Sequence, residues 1–200
     1  MEVTSKGKEE SKALEKIKAS LNELYEILFA AWDCYQLWWI FVSREERDKH
    51  MTIFLAHRVF FETASYACFS TVIVNLYKLY EVRKDTINIY SFLKDVEKEG
   101  LISGKEMKCL REQCNLVKET QKKISILRRN WFAHQNKIQI RSEIFKMAKI
   151  TSNQIKAFIE QTGKTLNAAT KQLSMENRPF NDLVGQQTKI LIETLKGEKQ

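Results

Sequence analysis

LEKIKASLNELYEILFAAWDCYQLWWIFV (14–42) sets the period from which the fold is read. Leu14, Leu21, Leu28, Tyr35 and Val42 fall on one row, and Ile17, Leu24, Ala31 and Trp38 on the next. Apolar residues three and four apart, sustained over four heptads, predict one long amphipathic helix. Asp33 and Gln36 interrupt its most apolar part, and the run TASYACFSTVIVNLY (63–77) is shorter than the roughly 20 residues of a membrane span. Both runs read as buried helices, and no membrane partner is expected. Tyr35, Trp38, Trp39 and Phe41 carry more aromatic surface than one helix stripe buries. They pack against the second helix or form a partner surface.

The rest of the chain extends the same pattern. One proline and six glycines in 200 residues exclude a turn-rich β fold. Residues 1–9 read as a disordered N-terminus. A bundle follows over 10–175, and 176–200 holds the loop ENRPFND (176–182) and a short helix. Within the bundle, SREERDKH (43–50) reads as a charged connector before a second long helix, Thr52 to Tyr80. Asp85 or Thr86 caps a shorter helix that Gly100 closes. Ser103 with Glu106 opens a helix running toward residue 127. Thr151 or Ser152 caps the next, whose row Ile155, Phe158, Ile159, Thr162, Leu166, Ala169, Leu173 keeps helical spacing. No strand pattern is present. The expected class is all-α, an antiparallel bundle of four core helices with extra C-terminal helices.

The start, MEVTSKGKEESKALEK, has no apolar core, so no signal peptide is expected. Four cysteines form no CxxC pair and have no histidine at ligand spacing. They read as reduced thiols of a cytoplasmic protein, with no zinc site. The net charge is +8, and its distribution says more. Between Lys118 and Lys149 nine lysines and arginines face only Glu119 and Glu143. A basic zone of this kind is a footprint for a polyanion, most often nucleic acid.

At its centre lies LRRNWFAHQNK (127–137). His134 can take and return a proton near neutral pH. Arg129 carries a permanent charge and a planar fork suited to phosphate oxygens. Asn130 can orient a hydroxyl, a water or the imidazole. Together they suit cleavage of RNA through its own 2′-hydroxyl, without a metal or cofactor. Arg128, Lys122, Lys123, Lys137 and Arg141 are the expected RNA-binding cations. Asn130 and His134 share a helix face, but Arg129 and His134 are five apart, roughly 140° around a regular helix. They converge where the helix starts or bends, or where the arginine reaches round. Acid–base cleavage also needs two proton-transfer groups. A two-fold homodimer supplies the second histidine. Of the other histidines, His50 reads as solvated in its connector and His57 as packed or superficial.

Arg129-Asn130-Trp131-Phe132-Ala133-His134 resembles the R-N-x-x-x-H motif of HEPN domains. With NLYKLYE (75–81) ending the second helix and a helical tail, the chain is most similar to the AbiU-type, abortive-infection branch. The resemblance implies a dimeric, metal-independent endoribonuclease of phage defence or of a toxin–antitoxin pair. Arg129 and His134 would be the catalytic pair, Asn130 the supporting polar group and Glu81 a supporting acid. An antitoxin protein is a further implied partner. Some family toxins carry a tyrosine two residues after the histidine that a partner enzyme modifies. Here that position is Asn136. Two other readings stay open. One is a non-catalytic HEPN module that binds RNA or nucleotide or scaffolds a protein. The other is a helical dimerisation protein whose basic zone meets an acidic partner.

Overall fold

The heptad rows become one uninterrupted helix, α1 (Val3–Val42). The structure, a computed structural model, describes residues 3–83, 85–133, 146 and 148–197. α1 starts ahead of Glu10, so residues 3–9, expected to be disordered, are helical. The reason is that this polar stretch has no proline to stop a helix already propagating from the core. Ile17, Leu21, Leu24, Leu28, Ala31 and Tyr35 are buried along a single seam.

The connector 43–50 is itself helical. α2 (Arg44–Ala56) is kinked at His50, and α3 (Arg58–Tyr80) follows after His57. Exposed His57 is the corner between them. α3 runs back along α1: Trp38 packs on Phe69 at 5.0 Å and Phe41 on Phe61 at 5.3 Å. Among the described helices α3 alone is long and apolar enough to cross a membrane, yet Phe69, Val72, Ile73, Leu76, Leu79 and Tyr80 line the bundle core. Where α1 and α3 touch, Cys34 meets Cys68. Hydrogen bonding to the Cys68 thiol, with a further bond to Thr71, outweighs burial and brings the Cys34 thiol down to about 7. The same pairing and burial push Cys68 up.

α4 (Ile89–Lys98) is capped by Asn88, whose side chain accepts from Ser91 N at 2.9 Å. Asp85 and Thr86, the expected caps, do other work: Asp85 pairs with Arg83, and the Thr86 carbonyl accepts from the Asn88 amide. Gly100 closes the helix at φ +64°, where a side chain would be strained. α5 (Gly104–Leu116) is capped by Ser103. α6 (Lys118–Leu127) continues the course after a break at Val117. Thr151 and Gln154 cap α7 (Ser152–Gln172) reciprocally.

α7 lies antiparallel to α1. The Tyr25 hydroxyl bonds Asn167 and Thr170, while Tyr35 reaches the Ser152 carbonyl. Tyr80 of α3 bonds Thr162 at 3.0 Å. Thus α1, α3, α6 and α7 surround one core, closed by α4 and α5. The fold is an all-α antiparallel bundle, with no strand among the described residues.

The C-terminal segment packs on the bundle. The Asn181 carbonyl accepts from Trp32 Nε1 and Gln36 Nε2, and Arg178 pairs with Glu26 at 2.8 Å. Phe180 sits on Trp32 at 5.2 Å and over Gly163, where a Cβ would come within 2.5 Å of its ring. α8 (Leu183–Gly197) buries Ile192 against Ile40, Ile53, Phe54 and Phe61. It also covers His50, which is 4% exposed. His50 is therefore not solvated. It sits 3.5 Å from Glu46 and 3.4 Å from Glu193, and neither contact has hydrogen-bond geometry. Helical spacing puts Glu46, His50, Ile53 and Phe54 on one face of α2, and α8 turns that face inward.

Candidate functional site

α6 does not end in a cap. It runs into a π-helical turn, Arg128–Ala133. The Asn130 amide donates to the Ile126 carbonyl at 3.0 Å, and Arg129 Nε donates to the Ser125 carbonyl at 3.3 Å. Both are the acceptors an α-helix reserves for the main-chain N–H four residues on. With those carbonyls shared by side chains, the wider i→i+5 pattern becomes competitive, and such turns recur at functional sites. The residues that make the motif distinctive therefore also shape its backbone.

Arg128 turns the other way. Its guanidinium lies 5.2 Å from the centre of the Tyr77 ring and is half-buried. Tyr77 and Glu81 are four apart at the end of α3 and share a face; Glu81 is the residue where the helix stops. These groups line a cleft of about 570 Å³, together with Glu23, Lys78 and Arg83. Arg83 is bonded twice to Asp85, at 3.1 and 2.8 Å. That pairing, with a smaller contribution from Glu81, holds Arg83 above the ordinary arginine value and Asp85 below the carboxylate one. The paired Arg83 and Asp85 neutralise each other. Among the described residues, no hydrogen bond or ion pair engages the side chains of Glu23, Lys78, Glu81 or Arg128.

The expected site residues separate into groups. Arg128 and Glu81 come together in the cleft, with Arg129 and Asn130 on the adjoining turn. Arg129 is exposed. Lys122 is exposed beside Glu119 at 3.2 Å, a surface pair that leaves it available. Lys123 has a different task. Its ammonium donates to the Lys149 carbonyl and to Gln154 Oε1, tying α6 to the start of α7. His134, Lys137 and Arg141, like Asn136, lie outside the described residues. Sequence reasoning missed Tyr77. Its signal was the four-residue spacing to Glu81 within NLYKLYE.

A π turn formed around an Arg-Asn pair, at the end of an all-α bundle, is one place where this chain can be compared with others. No curated protein and no solved structure matches it. A family model, HEPN_AbiU2, described as AbiU2, matches residues 14–194, from the first row of α1 into α8. That span takes in the bundle, the Arg-Asn turn and the C-terminal segment alike, and the chain belongs to the HEPN AbiU2 family.

Proposed function

We propose that this chain is a metal-independent endoribonuclease of abortive infection, or the toxin of a toxin–antitoxin pair, acting in the cytoplasm as a homodimer. The observation that carries the reading is the Arg-Asn π turn beside an open cleft, in a chain of an abortive-infection HEPN family. A turn closed by i→i+5 bonds favours cooperation between positions five apart, which a regular helix sets roughly 140° from one another. Arg129 would hold the scissile phosphate and stabilise its added charge. His134 of one protomer would remove the 2′-hydroxyl proton. The oxygen then attacks phosphorus, the P–O5′ bond breaks, and the second copy of His134 protonates the leaving oxygen. The products are a 2′,3′-cyclic phosphate and a 5′-hydroxyl. Asn130 orients the reacting groups, Glu81 is a supporting acid, and Arg128, Lys122, Lys137 and Arg141 hold the strand. An antitoxin would act by covering this face.

The test is purified full-length protein with total RNA and EDTA. Wild type should cleave, and Arg129→Ala and His134→Ala should each lose at least about a hundredfold in rate while the dimer persists in gel filtration. Undiminished cleavage by His134→Ala would remove the catalytic assignment. One observation favours a second reading, a non-catalytic RNA-binding module: Arg129 Nε is already bonded to its own helix. That reading predicts salt-sensitive RNA binding without turnover.

A further inference from the structure

The Tyr77–Arg128 cleft has an unusual balance for so basic a chain. Among the described residues, its charged groups without a hydrogen bond or ion pair are two carboxylates, Glu23 and Glu81, and two cations, Lys78 and Arg128. Two carboxylates and two cations leave no net positive charge to draw a phosphate inside, whereas a neutral ring needs none. At about 570 Å³ the cleft falls within the usual range for small-ligand sites. Its one stacking surface is the Tyr77 ring with the Arg128 guanidinium against it. Unstacked RNA bases are held on such aromatic and arginine planes, and read along their Watson–Crick edges.

We propose that this cleft is a guanine subsite, with Glu81 as the residue that selects the base. The inference rests on the chain acting on RNA. An ionised carboxylate only accepts hydrogen bonds. Guanine alone offers two adjacent donors on its Watson–Crick edge, N1–H and the N2 amino group, and these match the two oxygens of one carboxylate. Adenine and cytosine each set an acceptor beside their amino group. Uracil sets carbonyl oxygens on both sides of its single N–H. Glu23, which also lines the cleft, adds to the penalty for bases rich in acceptors. Lys78 and Arg128 hold the strand's phosphates. Glu81 is then a specificity residue, and this role takes the place of the supporting acid proposed above.

The experiment is equilibrium binding of the four nucleoside 3′-monophosphates to the full-length His134→Ala protein, so that no turnover is needed. Guanosine 3′-monophosphate should bind at least about tenfold tighter than the other three. Glu81→Gln should erase that margin while keeping the helical circular-dichroism spectrum. Tyr77→Leu should weaken all four alike. Equal binding of the four nucleotides, no binding at millimolar concentration, or a preference that survives Glu81→Gln would each overturn the subsite. The nuclease reading stands or falls separately on RNA cleavage by wild type. If cleavage occurs without guanine preference, only the subsite is lost.

Discussion

Single residues in this chain do work that their neighbours in sequence do not announce. Cys34 is one of four thiols with no motif around it, yet its pairing with Cys68 sets its acidity. A thiol brought down to about 7 is half thiolate near neutral pH, and the thiolate is the reactive form. Alkylation of Cys34 by iodoacetamide, followed by mass spectrometry, should rise with pH through a midpoint near 7. Cys68→Ala removes the donor and should move that midpoint upward; an unmoved midpoint would show that Cys68 is not its cause. Arg128 and Arg129 make the same point about side chains. They are adjacent and chemically identical, but one lies on the Tyr77 ring and the other is bonded to the Ser125 carbonyl. Nothing in the string LRRN distinguishes them, because their directions depend on where α3 lies.

At the scale of elements, the C-terminal loop and α7 fit by omission of a side chain. In an ordinary buried helix, Gly163→Ala would gain stability from helix propensity, about 1 kcal/mol. Here the new Cβ would fall 2.5 Å from the Phe180 ring, which is held between Trp32 and Phe29. Gly163→Ala should instead destabilise by about 1–3 kcal/mol, read from the urea unfolding midpoint. Phe180→Ala should cost less in the Gly163→Ala background than in wild type. The period of the apolar rows made α1, α3 and α7 legible in sequence, because each buries a continuous stripe. α2 was not legible, since SREERDKH is polar and its buried face, Glu46 and His50, is polar too. The π turn was legible only as a need: Arg129 and Asn130 had to depart from a regular helix to act with a residue five positions on. The cleft was half legible, through Glu81, while Tyr77 read as one more helical aromatic.

Across the whole molecule, α8 is fastened to α2 by charge as well as by Ile192. Lys189 meets the buried Glu46 at 2.6 Å. Burial pushes the Glu46 carboxyl up, but bonding to Lys189, with the charges of Lys189, Lys49 and His50, outweighs it and leaves the group below its ordinary value. A carboxylate lowered in the folded state stabilises above its unfolded value and loses that contribution as pH falls through the folded one. Thermal stability should therefore drop as pH falls below about 4.5, and Glu46→Gln should flatten this part of the profile. An unchanged slope in the variant would assign the acid loss to other groups. The same fastening has a consequence for how the protein is made. Tyr25 bonds Thr170, Trp32 bonds Asn181, and the amide of Gly185 bonds Gln36. Within this chain α1 thus finds these partners only in segments made well after it: α7, the loop that follows and α8. Until then the face that carries Tyr25, Trp32 and Gln36 lacks these partners, although α3 already covers Trp38 and Phe41, and the nascent chain is a natural client for chaperones.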